Sequence, residues 1–284
     1  MIILGIESSC DETALSLIER GKNDRVLAER IKSQIPLHRS FGGVVPEIAS
    51  RSHFEVIDLL LKEVLNESSL SLDQIDLIAS TQGPGLIGSL LIGFMFGKTL
   101  AFSKAKPFIP VNHIDAHLDA AFIDNPPPEF PALGLVVSGG HTSLYSVTNR
   151  FDRILLAKTR DDAVGEVMDK VAKFFNLGYP GGPILDQLAS QGEPGQYIFT
   201  VPKMSDGSMD FSFSGYKTAA MRIAETHGIS CSHPEFVHFI SSFTHALIDY
   251  LISQIDYFST QVSPASILIS GGVSRNTILR SKAT

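Results

Sequence analysis

Apolar positions along the chain fall into short blocks separated by small and polar residues, and the blocks predict strands and helices. Ile2-Ile3-Leu4-Gly5-Ile6 is a buried-strand pattern. It runs into Glu7-Ser8-Ser9-Cys10-Asp11-Glu12-Thr13 and out again into Ala14-Leu15-Ser16-Leu17-Ile18. Leu133 to Val137, the turn Ser138-Gly139-Gly140-His141-Thr142 and Ser143 to Val147 repeat that order of strand, tight turn, strand. The repetition predicts an internal duplication, two lobes that each open on a hairpin whose turn faces a shared cleft. Apolar residues at Val56, Ile57, Leu60, Leu61, Val64 and Leu65 predict a helix over 53–65. A continuous apolar face predicts another over 236–258, on which His238 and His245 read as surface or core-edge histidines. The apolar stretch from Leu86 to Phe102 holds Ser89, three glycines and Lys98, so it falls short of a membrane span and reads as a buried helix. Late in the chain, Ala265 to Ile269 is a strand and Ser270-Gly271-Gly272-Val273 a glycine turn. Ser274 and Asn276 are cap candidates for the helix that follows.

Prolines 126, 127, 128 and 131 remove backbone donors and interrupt any helix or central strand. The predicted lobes are therefore residues 1–125 and 126–284. Composition changes this picture little. Hydrophobic residues make up 44% and charged residues 19%, and the net charge of −7 argues against a broad basic surface for nucleic acid. Two cysteines, Cys10 and Cys231, read as reduced thiols, and the short apolar start at residues 1–6 does not make a signal peptide. Both point to a cytoplasmic protein without membrane attachment.

Candidate chemistry concentrates at the ends of the predicted strands. His113 and His117 follow the apolar run Pro107 to Val111 and share one helical face if a helix begins near Asn112. Two such imidazoles can bind one transition metal ion, or be an ordinary surface pair. Ile114 occupies the position where the zinc protease motif HExxH has its glutamate. Glycine-serine turns after strands let successive N–H groups converge on an anion. Asp11 and Glu12, in the first such turn, would orient water, metal or a hydroxyl rather than bind phosphate. Gly83-Pro84-Gly85-Leu86-Ile87-Gly88 fits GxGxxG, but no acid occurs between Gly88 and Asp115, so it reads as close strand–helix packing. Arg51 and His53, after Gly42-Gly43, form a pair that could face a polyanion. Residues 179–186 and 210–218 are further polar, glycine-containing loops.

Eight segments, among them IESSCDET (6–13), VNHIDAH (111–117), LVVSGGHTSL (135–144), GYPGGP (178–183), DFSFSGYKT (210–218) and ISGGVSRN (269–276), together resemble the TsaD family along nearly the whole chain. The family comprises tRNA threonylcarbamoyladenosine transferases, once called O-sialoglycoprotein endopeptidases. The resemblance implies an α/β actin-like ATPase/sugar-kinase (ASKHA) fold. It implies transfer of the threonylcarbamoyl group from threonylcarbamoyl-AMP to N6 of the adenosine next to the anticodon, in tRNAs reading codons that start with A. It matches His113 and His117 to ligands of one divalent metal ion, Fe2+ or alternatively Zn2+. It matches Val136, Val137, Ser138, Gly139, Gly140, Asp169, Gly182, Asp186 and Asn276 to substrate contacts, and Asp11 and Glu12 to a first phosphate-type motif with a catalytic role. The implied partners are tRNA, a TsaB-like paralogue and a TsaE-like ATPase. The family's third metal ligand, an aspartate in a C-terminal portion beyond the SGGVSRN helix, has no counterpart before Thr284, and Ile114-Asp115-Ala116 replaces the usual Glu-Gly between the histidines. A metallopeptidase and a non-catalytic nucleotide-binding subunit of the same fold are the competing readings.

Overall fold

The computed structural model describes residues 1–123, 126–200, 204 and 206–283. The chain divides into two compact units, Met1–Ala116 and His117–Thr284.

The first unit opens with β1 (Ile2–Glu7), β2 (Glu12–Glu19) and β3 (Arg25–Ser33), an antiparallel meander. A single turn, α1 (Ile35–His38), leads to α2 (Pro46–Ser68). Then come β4 (Leu77–Gly83), α3 (Ile87–Ser103) and β5 (Phe108–Asn112), each strand parallel to its neighbour, in the order β3-β2-β1-β4-β5. Helix α4 (His113–Ala120) follows β5 directly, with Asn112 accepting from the N–H groups of Ile114 and Asp115. The second unit repeats the plan with β6 (Ala132–Val137), β7 (Thr142–Asn149) and β8 (Asp152–Lys158). After these come α5 (Val164–Phe174), α6 (Gly181–Ala189), α7 (Ser214–His227), α8 (Phe236–Val262), β9 (Ser266–Ser270) and α9 (Thr277–Lys282). Its strand order is β8-β7-β6-β9, with β9 parallel to β6. The predicted duplication is thus present in the topology: an antiparallel meander whose first strand also pairs in parallel with the strand after the helices.

The division falls inside α4, ahead of the proline run. Leu118 lies over β6, where a Cβ on Gly134 would come within 2.7 Å of it, and Ala121 and Phe122 pack on Ala132, Val147 and Leu268. These contacts tie the end of α4 to the second sheet. The junction expected at 125/126 adjoins Asp124 and Asn125, outside the described residues.

Helix α2 buries Ile57, Leu60, Leu61 and Val64, as its periodicity predicts. Each such side chain contributes roughly 1.5–3 kcal/mol when fully removed from water. Helix α8 buries an apolar face along its 27 residues. Helix α3 departs from its reading as a buried helix. It buries Ser89, Gly93, Gly97 and Ala101, while Ile87 is 85% and Phe102 87% exposed. The small residues recur every four positions and let the helix backbone settle on β1, which turns the large side chains outward. Gly93 marks the closest approach: its N–H donates to Ser8 Oγ at 3.0 Å, and a Cβ there would stand 2.3 Å from that oxygen.

Candidate functional site

In the first unit the C-terminal ends of β1, β4 and β5 are neighbours, the place where open α/β sheets gather ligands. Glu7 ends β1. Its carboxylate accepts the Ser9 N–H at 2.5 Å and the Thr81 hydroxyl from the end of β4, and stands 3.5 Å from Nδ1 of His113, the first residue of α4. Burial pushes the Glu7 carboxyl up, but hydrogen bonds from His113, Ser9 and Thr81 outweigh it and bring it down to about 2. Sequence reasoning passed over Glu7. The available signal was an acid as the last residue of an otherwise apolar strand, directly before the turn.

The turn after β1 is occupied by contacts of its own. Ser8 Oγ donates to the Ser89 carbonyl at 2.8 Å, Ser9 O accepts from Leu86 N–H, and Asp11 O accepts from Gln34 N–H. The GxGxxG segment packs here, as expected: a Cβ on Gly85 would stand 2.6 Å from Ser9 O. His53 corrects its reading as a residue facing a polyanion. It is fully buried, Nδ1 lies 2.7 Å from Thr13 Oγ1, and Nε2 lies 3.0 Å from the Cys10 carbonyl. Burial lowers its pKa, so the ring is neutral and fastens α2 to the hairpin. Cys10 is a free thiol pushed up to about 12 by burial and then by Asp11, so it stays protonated. Glu12 begins β2, and partial desolvation of its carboxylate, followed by Asp11 beside it, raises its carboxyl.

Helix α4 places His113 and His117 one turn apart on one face, as their spacing predicts. Among the described residues no group of three His, Cys, Asp or Glu side chains is arranged to hold a metal ion. The residues present fit as a partial ligand set: two imidazoles on one helix face, with a carboxylate behind the first.

In the second unit the turn after β6 is built differently. Ser138 Oγ accepts from the N–H groups of Gly140 and His141 at 3.3 and 3.0 Å, and the Ser138 N–H donates to His141 O at 2.8 Å. The Gly139 N–H meets no acceptor among the described residues. The start of α5 closes on this turn, since a Cβ on Gly165 would stand 2.6 Å from Ser138 O and 3.0 Å from Gly139 N. From the other side comes the turn after β9. Gly271 has φ +93°, and a Cβ there would stand 2.3 Å from the Val137 carbonyl, so only glycine fits. Val136 and Val137 are buried strand residues beneath the turn.

Two aspartates brace the surrounding helices. Asp169 on α5 accepts the Gly181 N–H at 2.7 Å, fixing the start of α6 and with it Gly182. Asp186 on α6 accepts from Asn276 Nδ2 at 2.9 Å and from the Thr277 hydroxyl at 2.8 Å, while Asn276 caps α9 by accepting the Leu279 N–H. The structure therefore brings Asp186 and Asn276 into direct contact and joins residues 136–140 to Gly165 and Gly271. Asp11 lies in the first unit's turn and Glu12 begins β2.

The 210–218 loop is largely core: Phe211, Phe213 and Tyr216 are buried, and the hydroxyls of Ser212 and Ser214 donate to Asp161. His238 accepts the Glu193 N–H and His245 Nδ1 lies 3.0 Å from the Ser241 carbonyl, both structural as expected.

A family model described as TsaD, tRNA N6-adenosine threonylcarbamoyltransferase, matches residues 25–284. A tRNA N6-adenosine threonylcarbamoyltransferase of Syntrophus aciditrophicus is 42% identical, covering 99% of this chain and 82% of that protein. One from Thermodesulfovibrio yellowstonii is 44% identical, covering 100% of this chain and 85% of that protein. Among solved structures, component A of the Acidaminococcus fermentans (R)-2-hydroxyglutaryl-CoA dehydratase is similar with a TM-score of 0.56 at 14% identity. It covers 100% of this chain and 87% of its own length, a likeness of fold alone.

Proposed function

The chain belongs to the TsaD family of tRNA N6-adenosine threonylcarbamoyltransferases, and on that premise we propose how its own residues serve the reaction. It is a transferase that forms threonylcarbamoyladenosine in tRNA. The adenine N6 attacks the carbamoyl carbon of threonylcarbamoyl-AMP, the new N–C bond forms, the bond from that carbon to the phosphate oxygen breaks, and AMP leaves with the electron pair while N6 loses a proton. The exocyclic amine is a weak nucleophile because its lone pair is delocalised into the ring, so the acyl group has to arrive as a mixed anhydride. The site then has to stabilise charge on the carbonyl and on the departing phosphate.

The single observation that supports this reading best is the second unit's glycine cradle. The open N–H of Gly139 and the turn at Gly271 lie at the ends of parallel strands, under the start of α5. A hydrogen bond to a charged group contributes about 1.5–3 kcal/mol, enough for a few such donors to hold a phosphate on an acidic protein. Asp186 and Asn276, fixed against each other, frame the ribose end, and Asp169 sets Gly182 beside them. His113 and His117 would hold one divalent ion, Fe2+ or Zn2+, which when bound supplies a Lewis acid. Asp11 and Glu12 would order water next to the first turn. The finer fold is an actin-like ATPase/sugar-kinase arrangement, supported by the repeated strand order. The exposed Ile87, Leu91 and Met95 on α3, with Phe54 on α2, suit a TsaB-like partner, and a TsaE-like ATPase completes the proposed set. Among the described residues no helix is long and apolar enough to cross a membrane; the proposed location is the cytoplasm.

The test is transfer in vitro: unmodified tRNA and threonylcarbamoyl-AMP are incubated with the chain and its partners, and the nucleosides are weighed by mass spectrometry. The modified adenosine is expected with this chain present. A level equal to the reaction lacking it would remove the reading.

A further inference from the structure

We propose that Glu7 is the positioning residue of His113. The inference rests on the reading of His113 as an ion ligand, and adds which ring nitrogen does the ligating and what fixes it. Ionised carboxylates only accept hydrogen bonds. With Glu7 Oε2 3.5 Å from Nδ1, that nitrogen is the one placed to donate, which assigns the ligating role to Nε2. The acid is itself held from two further elements, by the Ser9 N–H at 2.5 Å on Oε1 and by the Thr81 hydroxyl on Oε2. Its side chain is 34% exposed and that of His113 15%. Three neighbouring strand ends thus converge on one carboxylate whose geometric consequence is the tautomer and orientation of one imidazole. Outer carboxylates of this kind typically alter metal affinity 10–100-fold. Thr81 and Ser9 then act one step further out, by keeping the Glu7 rotamer.

The experiment uses the full chain with 15N-labelled histidine, free of metal, and reads the tautomer of each ring by long-range 1H–15N NMR. The His113 signals are identified by their loss in His113→Ala. Wild type is expected to carry the proton on Nδ1 of His113. Glu7→Ala should move the population toward Nε2–H, and Glu7→Gln, whose amide oxygen still accepts, should restore Nδ1–H. An unchanged tautomer in a folded Glu7→Ala overturns the proposal. Zn2+ affinity by calorimetry separates this from the reading beneath it. Expected is a 10–100-fold weakening in Glu7→Ala, a smaller one in Glu7→Gln and loss in His113→Ala. Unchanged affinity in Glu7→Ala beside lost affinity in His113→Ala overturns the role of Glu7 alone. Affinity in His113→Ala equal to wild type overturns the ion-ligand reading and the positioning role with it.

Discussion

After β1, in the first unit, the turn at residues 8–11 is closed upon its own structure. Ser8 fastens α3, Ser9 meets Glu7 and Leu86, the Cys10 carbonyl takes His53, and the Asp11 carbonyl takes Gln34. After β6, in the second unit, the corresponding turn is closed by the Ser138 hydroxyl and by the Ser138 N–H on the His141 carbonyl, and the Gly139 N–H is left open among the described residues. Both turns stand on the same duplicated strand order. The difference lies in side chains. Acids and hydroxyls at 7–12 make the first turn a fastener, with Glu7 beside His113, while glycines at 139, 140, 271 and 272 leave the second with an open backbone donor, the feature on which the proposed anion binding rests. A repeated scaffold fixes where chemistry goes, and the residues in the turn decide what kind.

The largest expected effect breaks the receptor. Gly271→Val puts a branched side chain where φ is +93° and where even a Cβ meets the Val137 carbonyl at 2.3 Å. It should cost about 3 kcal/mol in urea unfolding and abolish AMP binding in calorimetry. Next comes Asp186→Ala, which strips the acceptor from Asn276 Nδ2, the Thr277 hydroxyl and the Thr277 N–H. A loss of about 1–3 kcal/mol is expected, with AMP affinity falling as Asn276 loosens. Gly93→Ala tests the fastener. Overpacking against Ser8 Oγ should lower stability by about 1–3 kcal/mol while leaving AMP affinity near wild type; a matching fall in affinity would erase the distinction between the turns.

The smallest effect concerns Asp161 in the second unit. Burial raises the Asp161 carboxyl, but hydrogen bonds from Ser212, Phe213 and Ser214 at the start of α7 outweigh it and hold it below its ordinary value. A lowered folded pKa gives stability that is full above the unfolded value of about 3.9 and is lost as pH falls through the lower folded one. Unfolding curves on the acid side should therefore show a shallow loss in wild type that Asp161→Asn lacks.

Much of this plan can be read from residue order. The two hairpins, the helices over 53–65 and 236–258, the Asn276 cap and the helical pair His113 and His117 all follow from local pattern and short-range chemistry. Three features do not. Helix α3 has the composition of a buried helix, yet its glycines define the inner face, because close approach to Ser8 and Ile6 outweighs burial of Ile87 and Phe102. His53 looked free to meet a ligand, but Thr13 and Cys10, some forty residues earlier, take both of its ring nitrogens. Glu7 has as partners Thr81 on β4 and His113 at the start of α4, both far along the chain. Period and capping are local, whereas the partner of a polar group is set by sheet order.

The central claim is that the second turn receives a phosphate and the first does not. Amide NMR of the full chain titrated with AMP tests it most directly. The account predicts a saturable downfield shift of the Gly139 N–H while the Ser9 N–H, already bonded to Glu7, stays in place. A shift at Ser9 with Gly139 unmoved would contradict it.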